Sequence, residues 1–328
     1  MRILYITPKF PPHRFYPVVP YAYDWASVLS RIGDVMVVGG STFSGSRDFG
    51  DFEGIFYNMG NDRGIRHVLN WFRVLNLSGR SFRDVDIIVA HGSLFAGSVA
   101  TFLGKPFVIV EHAFLEGWRR KIAGWIWSRA RLRIAVSESL SDYLGSDFRV
   151  VPNPIPDIRI EVKKFDAPTI LFAGTRRAKG WRLFEEIVEI AREKELPYRF
   201  IMVGREDFPS PNVISMSKLN RLSFLEMLAR SHVFLNLSRA ESFAVAVAES
   251  LMVGTPVLTT SRNLLKIYST GVFVSPPNPE DVLKGVGRLL NMDHDAEAMR
   301  RFVVENFSYG VVEEKLRSLL LESGLLQL

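Results

Sequence analysis

The feature that most constrains the fold of this chain is its alternation of short apolar segments with longer amphipathic ones. Short runs rich in β-branched residues are typical of strands that are buried on both faces, with helices between them as the cover. The alternation therefore predicts an α/β fold built on a parallel sheet. In the first half of the chain the predicted strands are residues 3–7, 35–38, 87–90, 107–110 and 132–136, with helices at 21–32 and 119–131.

The same pattern starts again after a proline-rich break, Pro152-Asn153-Pro154-Ile155-Pro156. At 328 residues the chain is longer than one compact core usually allows. We therefore expect two Rossmann-like, doubly wound parallel-sheet domains that face a cleft, residues 1–155 and 156–305. Ligands of such sheets bind at the carboxyl ends of the strands. In the second half the predicted strands are residues 169–173, 200–203, 233–237, 256–259 and 272–274.

Composition excludes several classes of site. The chain has no cysteine, so disulfides and cysteine-bound zinc are excluded. A formal net charge of +6 favours an anionic ligand, such as a phosphate, a nucleic acid or an acidic lipid. Nucleic acid is less favoured, because the basic residues are scattered and no recognition motif is found.

Two apolar stretches bear on localisation. Met1 leads directly into a predicted strand and not into a charged segment followed by a long apolar one, so we expect no signal peptide. The uncharged run at residues 87–104 is long enough to cross a membrane, but His91-Gly92-Ser93 interrupts it. Strand, turn and helix is the better interpretation of this run. We expect a cytoplasmic protein, with peripheral contact at the inner membrane face as a hypothesis.

A glycine-bounded turn, Gly174 to Gly180, lies between a predicted strand and a predicted helix. Glycines permit close backbone approach, and the amino terminus of a helix presents free N–H groups to an anion. Arg176 and Lys179 add positive charge suited to a diphosphate. A solvated basic turn explains the same residues equally well, so the turn alone does not establish phosphate binding.

Two glutamates, Glu241 and Glu249, bracket a run of small residues that follows the predicted strand at 233–237. The small residues allow a helix to begin close to a ligand. Carboxylates are good acceptors for sugar hydroxyls, and two at this spacing can hold the two ends of an extended molecule. Alternatively, both glutamates cap a helix or form ion pairs at the surface.

His112 follows the predicted strand at 107–110, and His91 follows the strand at 87–90 in the same way. A histidine at the carboxyl end of a parallel strand faces the ligand crevice of the sheet. Since a single histidine is more often structural than catalytic, position alone makes His112 a candidate and no more.

In their order and spacing, these segments resemble the retaining, GT-B-fold glycosyltransferases of family 4, also called glycosyltransferase group 1. Residues 241–249 match the E-x7-E signature of that family, and the flanking Ser238-Arg239 and residues 248–257 match its surroundings. The turn from Gly174 to Gly180 is similar to the family's glycine–arginine–lysine–glycine turn, one residue shorter than usual. Asn306-Phe307-Ser308 opens a final helix, residues 306–328, like the one that crosses back to the first domain in the family.

The resemblance implies a role for each matching residue. Arg176 and Lys179 would neutralise the diphosphate of a nucleotide sugar, Glu249 would hold the ribose, and Glu241 would contact the transferred sugar. His112 would lie near the reacting carbon. The family retains anomeric configuration and needs neither metal nor cofactor. Further donor contacts are expected at Phe243, Ala244 and Val213, with the acceptor, a glycan or a lipid-linked sugar, at Lys9, His13 and Arg14 in the first domain.

The sequence departs from the family at its glycines. The usual Glu-Gly-Phe-Gly reads Glu241-Ser242-Phe243-Ala244, and the first strand-to-helix turn, residues 8–17, has no paired glycines. A methyl group at a tight backbone contact would shift or block the donor. Two alternatives to a transferase therefore stay open, a catalytically inactive sugar-nucleotide-binding or partner protein and a sugar-nucleotide epimerase.

Two segments, residues 63–73 and 118–127, are both basic and aromatic. Each fits an amphipathic helix on an anionic membrane surface. Each also fits a helix that packs on its sheet with a basic outer face, which we favour for residues 118–127 because a sheet helix is needed there.

Overall fold

The structure is a computed structural model that describes residues 1–16, 19–58, 65–81, 84–174, 177–208, 210 and 212–327, with the backbone alone at 65–68, 78–81 and 177. The chain divides into two compact units. The first contains Met1–Pro156 and Phe307–Leu328, and the second contains Asp157–Asn306.

The first unit is built on an eight-stranded sheet of order β3-β4-β2-β1-β5-β6-β7-β8, parallel except for the antiparallel pair β3 and β4. Its strands are β1 (Arg2–Thr7), β2 (Asp34–Ser41), β3 (Gly45–Asp48), β4 (Glu53–Asn58), β5 (Ile87–His91), β6 (Phe107–Glu111), β7 (Leu132–Ala135) and β8 (Arg149–Val150). Its helices are α1 (Pro20–Leu29), α2 (Ile65–Ser81), α3 (Ser98–Leu103), α4 (Gly117–Trp127), α5 (Glu138–Leu144) and α11 (Tyr309–Glu322), and a π-helical turn, Gly92–Gly97, precedes α3.

The centre of this sheet is fully buried. All five residues of β5 and all five of β6 are buried, as expected for strands covered by helices on both faces. The carboxyl-terminal helix α11 packs on α1 within the unit, where Tyr309 Oη donates to Asp24 Oδ1 at 2.5 Å. The strand order reverses between β1 and β5, so the ligand-binding crevice of this sheet is expected beside their carboxyl ends.

The second unit has a six-stranded, fully parallel sheet of order β11-β10-β9-β12-β13-β14. Its strands are β9 (Thr169–Ala173), β10 (Arg199–Val203), β11 (Val213–Met216), β12 (Val233–Asn236), β13 (Val257–Thr259) and β14 (Val272–Val274). Its helices are α6 (Trp181–Glu193), α7 (Arg221–Arg230), α8 (Val245–Met252), α9 (Pro279–Leu290) and α10 (Ala296–Phe307). The order reverses between β9 and β12.

The expected fold class, two Rossmann-like parallel-sheet domains, is confirmed. Every predicted strand is present, and residues 87–104 form strand, turn and helix. The hairpin of β3 and β4 was not predicted. Its first strand, Gly-Ser-Arg-Asp, is exposed at all four positions, so it lacks the apolar run by which the other strands were found.

Gly180 fixes the distance between two loops of the second unit. It lies directly before α6 with a φ of 82°, and a Cβ placed on it would lie 2.3 Å from the carbonyl oxygen of Leu237, just beyond β12. No side chain fits at that distance, and positive φ is unfavourable for any residue with a Cβ. Glycine is therefore required for the loop after β9 to approach the loop after β12.

We predict that Gly180→Ala destabilises the protein by about 2–5 kcal/mol, the sum of a left-handed backbone cost and an overpacking cost. Gly124→Ala is the matched control, since Gly124 lies inside α4 with no atom near its Cβ position. That change should stabilise the protein by about 1 kcal/mol through helix propensity. Denaturant titrations of both variants measure the difference. Equal midpoints would contradict the steric argument.

Candidate functional site

The carboxyl edge of the second sheet brings two predicted site residues together. Lys179 lies in a short helical turn, Arg177–Lys179, after β9, and Glu241 lies in the loop after β12. Lys179 Nζ is 2.5 Å from Glu241 Oε1. The lysine side chain is 45% exposed and the glutamate side chain 10% exposed, so the ammonium group is accessible to a ligand while the carboxylate is enclosed. Arg176 lies outside the described residues.

Two asparagines that were not predicted hold Glu241 in place. Asn236, the last residue of β12, points its amide nitrogen at Glu241 Oε1 at 3.5 Å. Asn263 Nδ2 donates to the main-chain oxygen of Glu241, and the Glu241 N–H points at Asn263 Oδ1 at 3.5 Å. The polar end of the otherwise apolar β12 was a usable sequence signal for Asn236. Asn263 lies 22 residues further along the chain, and only the fold reveals its partner.

The turn between Glu241 and α8 keeps a glycine-like backbone without glycine. Ala244 is the amino-terminal cap of α8, with φ 60° and ψ 72°, in the left-handed region. The Phe243 ring is buried against Tyr268, 5.9 Å between centroids, and Tyr268 Oη donates to the Phe243 carbonyl oxygen at 2.7 Å. Contact between Phe243 and a ligand at this edge would therefore come from its main chain.

Glu249 has a buried cationic partner. Arg221, the first residue of α7, places Nε 2.7 Å from Glu249 Oε1, and both side chains are less than a tenth exposed. Burying such a pair costs solvation energy, which strong geometry must offset. The pair therefore fixes the orientation of the carboxylate before any ligand arrives. Arg221 was not predicted, because an arginine at the start of a helix is usually exposed.

Val213 begins the edge strand β11, and its side chain is buried in the core of the unit. Val213 can therefore contact a ligand only through its main chain, on the strand that pairs with β10.

A cavity of about 720 Å³ opens at the carboxyl edge of the same sheet, lined by the chain neighbours of Lys179 but not by Lys179 or Glu241. Its volume falls within the range of small-molecule sites. Polar and apolar side chains both line it, and the described lining residues include two arginines and one glutamate. They are Ala178, Gly180, Arg182, Leu183, Glu186, Leu237, Arg239, Thr260 and Pro277.

In the first unit, aromatic rings enclose the two predicted histidines. His91 ends β5 and His112 follows β6, and their rings stack with centroids 3.9 Å apart and planes 25° apart. The Tyr21 ring of α1 stacks on His112 at 5.2 Å, and Tyr5 of β1 hydrogen-bonds His91 Nδ1. The sequence predicted both histidines at this edge but not the two tyrosines, which reach it through the pairing of β1 with β5 and the packing of α1.

This aromatic enclosure keeps the histidines neutral. Burial lowers the pKa of His112 to about 3, and burial together with His112 lowers the pKa of His91 well below its ordinary value. At neutral pH the His112 imidazole therefore acts as a hydrogen-bonding group and not as a cation.

Glu111, the residue before His112, is a buried carboxyl group of the same edge. Burial raises its pKa to about 7, partly offset by hydrogen bonds from Trp127 Nε1 and the Ser93 N–H, both 3.0 Å from Oε1. Glu111, which directly precedes His112 in the chain, thus changes charge close to neutral pH.

Three predicted acceptor-side residues, Lys9, His13 and Arg14, lie in the loop after β1 with exposed side chains. Thr7 Oγ1 donates to the Lys9 carbonyl oxygen at 2.9 Å, which orders the start of that loop. The exposed charges of Lys9 and Arg14 are available to an anionic ligand.

Within the described part of the chain, no group of three or more His, Asp or Glu side chains is arranged to hold a metal ion. None of the described helices is both long enough and apolar enough to cross a membrane.

Two family models match the sequence, one in each half. The model described as Glycosyltransferase Family 4 matches residues 18–158, and the model described as Glycosyl transferases group 1 matches residues 167–292. No curated protein matches the chain in a sequence comparison.

Solved structures resemble the whole chain. Sucrose-phosphate synthase from Thermosynechococcus elongatus has a TM-score of 0.76 at 14% identity, with 98% of each chain covered. HepE from Anabaena, in complex with UDP and glucose, has a TM-score of 0.73 at 11% identity, over 98% of this chain and all of the other. A putative UDP-N-acetylglucosamine 2-epimerase from Listeria monocytogenes has a TM-score of 0.65 at 15% identity, over 97% and 94%. At these identities the likeness is one of fold.

The left-handed Ala244 is directly testable. We predict that Ala244→Gly stabilises the protein by about 0.5–1 kcal/mol, because relief of the left-handed backbone cost exceeds the added entropy of the unfolded chain. Ala246→Gly, two residues into α8, is the control and should destabilise by about 1 kcal/mol. Thermal unfolding of the two variants gives opposite signs if Ala244 is strained. Two changes of the same sign would exclude that strain.

Glu111 predicts a pH dependence of stability. Its pKa in the folded protein, about 7, lies above the ordinary 4.5, so the folded chain holds a proton that the unfolded chain releases between these values. The free energy of unfolding should therefore fall as pH rises from about 4.5 to 7 and level off above 7. Between pH 4.5 and 7, the free energy of unfolding of Glu111→Gln should rise relative to that of wild type by on the order of 3 kcal/mol. The titration of histidines affects wild type and variant alike, so it cancels from the difference between their free energies of unfolding.

Denaturant titrations at pH 5, 6, 7 and 8 measure this difference. Glu116→Gln, at an exposed position before α4, is the control for the loss of one carboxyl group from the surface. A flat difference for Glu111→Gln would show that the carboxyl group is already ionised at pH 5.

Proposed function

We propose that this chain, a glycosyltransferase of the GT-B fold, transfers a sugar from a nucleotide-diphosphate sugar to a glycan or lipid-linked acceptor with retention of configuration and without a metal ion. The observation on which the proposal rests is the contact of Lys179 with Glu241 at the crevice between β9 and β12. Parallel sheets bind their ligands at such a crevice.

The diphosphate has two partners at this edge. Lys179 provides a half-exposed ammonium group, and the amino terminus of α8 provides main-chain N–H groups that follow Ala244. The carboxylate of Glu241 neutralises the Lys179 ammonium group. A bound phosphate would compete for the ammonium group and release the carboxylate toward a sugar hydroxyl. Lys179 would then stabilise the charge that develops on the leaving diphosphate.

Glu249 is proposed to accept hydrogen bonds from the ribose hydroxyls. Its contact with Arg221 supports this role, because a carboxylate held at 2.7 Å by a buried arginine has a fixed direction. Uridine diphosphate sugars are the first donors to test, because a structural relative was solved with UDP and glucose.

His112 is proposed to orient the transferred sugar by hydrogen bonding near the reacting carbon. A neutral imidazole supports this role, since its low pKa leaves it able to donate and accept at neutral pH. Lys9, His13 and Arg14 are proposed contacts of the acceptor.

The replaced glycine at position 244 no longer favours the alternative of an inactive binding protein. The family's second glycine is replaced by Ala244, but Ala244 adopts the left-handed backbone that glycine would provide. The main-chain path past the diphosphate is therefore compatible with donor binding. The epimerase alternative has the same fold, since the Listeria relative shares it, so the reaction products must separate the two.

A donor screen tests the proposal. A nucleotide sugar that binds only the folded protein at 100 times its dissociation constant stabilises it by about 2.7 kcal/mol, which thermal unfolding detects. Nucleoside diphosphate release that depends on an added acceptor supports transfer. An isomerised nucleotide sugar without an acceptor supports the epimerase, and binding without any product supports the inactive protein.

Two variants separate donor binding from turnover. Glu249→Gln should weaken donor binding about 10- to 100-fold, because a charge-assisted hydrogen bond is lost. Glutamine is preferred to alanine here, since it keeps an acceptor for the buried Arg221. His112→Ala should leave donor affinity unchanged and lower kcat about 100-fold.

Glu280→Gln is the control, because Glu280 is an exposed residue that pairs with Lys194 on the surface. It should change neither donor affinity nor kcat. The reverse pattern, with affinity lost in the histidine variant and turnover alone lost in the glutamate variant, would contradict the assigned roles.

A further inference from the structure

One face of the first unit exposes an unusual number of large apolar side chains. Among the described residues, twelve large apolar side chains are exposed, and six of them lie on α2, α3 and α4. All exposed phenylalanine and tryptophan side chains of the described chain belong to this set. The six residues, which we call the α2–α4 surface, are Leu69, Phe72, Phe102, Trp118, Ile122 and Trp125.

The three helices form one layer on the sheet. Trp71 of α2 donates from Nε1 to Ser98 Oγ of α3 at 2.7 Å, and its ring packs against Phe102 at 5.3 Å. Trp127 of α4 donates to Ser93 Oγ, at 2.6 Å, in the π-helical turn that leads into α3. The exposed side chains of all three helices therefore lie on the outer side of one helical layer.

Helix α4 shows the two-sidedness most clearly. Trp118, Ile122 and Trp125 are spaced by four and three residues, so they lie along one side of the helix, and they are 65%, 45% and 48% exposed. Ala123, Ile126 and Trp127 face the unit interior. Burial on the sheet thus accounts for only one of the two apolar sides of α4. Its outer face, which we expected to be basic, is aromatic as well.

The charge of this layer has a single sign. The sequences of α2 and α4 contain three basic residues each, and α2, α3 and α4 contain no aspartate or glutamate. Arg119 and Lys121 are exposed beside the apolar stripe, and the Arg129 guanidinium lies over the Trp125 ring at 3.8 Å. Tryptophan beside lysine and arginine is the combination found in helices that lie at the headgroup level of a bilayer.

We propose that the α2–α4 surface docks on an anionic lipid bilayer. The indole rings of Trp118 and Trp125 insert at the headgroup level, and the basic side chains around them contact lipid phosphates. The absence of acidic side chains from the three helices is what selects an anionic surface, since a protein partner with mixed charge would find no complementary acid on this layer. The docking lies outside the donor site and does not depend on the proposed function.

Vesicle flotation of the full chain tests the proposal. The protein should float with vesicles of phosphatidylglycerol mixed into phosphatidylcholine and not with phosphatidylcholine alone. Binding should weaken as salt shortens the range of the charge interaction. Tryptophan emission should shift to shorter wavelength on binding, and brominated lipid should quench it. No donor or acceptor is present, so failure of docking and failure of the transferase proposal are separate results.

Two double variants assign the contact. Trp118→Ser/Trp125→Ser should lower vesicle affinity at least about tenfold and remove the emission shift. Arg119→Glu/Lys121→Glu should lower it by a similar factor and abolish the preference for anionic lipid. Met292→Ser and Lys284→Glu/Arg301→Glu, at exposed positions of the second unit, are the matched controls and should bind as wild type does. A thermal melt checks that each variant is folded.

Several outcomes would overturn the proposal. These are equal binding to neutral and anionic vesicles, no binding to either, or unchanged binding in folded variants of both kinds. A concentration-dependent dimer that the tryptophan double variant dissociates, without vesicle binding, would show that a second copy of the chain covers this face. Binding to RNA that competes with vesicles and survives the tryptophan changes would show a polyanion site.

Discussion

The close approach of Gly180 to the Leu237 carbonyl sets the geometry at the carboxyl edge of the second sheet. Strands β9 and β12 are neighbours in the sheet. The loops that follow them could not approach each other as closely if residue 180 carried a Cβ, because that atom would clash with the Leu237 carbonyl oxygen. Because Gly180 has none, Lys179 and Glu241 come within 2.5 Å of each other. The proposed donor site therefore depends on the glycine at position 180 as much as on the contact between Lys179 and Glu241.

The two sheets offer different chemistry at corresponding edges. In the second unit the edge is charged, with Lys179 and Glu241 in contact and Arg221 held on Glu249. In the first unit the histidine pair at the edge is neutral and enclosed by aromatic rings, because burial lowers the pKa values of His91 and His112. A charged pair suits a diphosphate, and a neutral pair suits hydroxyl groups that need hydrogen bonds without a competing ion.

The sequence predicted most of the scaffold and only part of the site. Buried strands were found because apolar runs of four or five residues have few alternatives in an α/β chain, whereas the exposed β3 gave no such signal. Lys179, Glu241 and Glu249 were predicted as site residues because they belong to segments that follow predicted strands, and their roles stay predictions. Asn263 and Arg221 were missed because their partners lie 22 and 28 residues away, and nothing local to either residue indicates burial.

The replacement of glycine by Ala244 is informative because it is costly. A left-handed backbone costs a residue with a Cβ about 1–2 kcal/mol, and such positions persist only where their surroundings enforce them. Here the enforcement is visible: Tyr268 binds the Phe243 carbonyl on one side, and Asn263 binds the main chain of Glu241 on the other. A chain that had lost its ligand would be free to relax this turn into an ordinary helix start. Two separate side chains hold the turn at the place where a phosphate would meet α8, and this supports the proposed donor site.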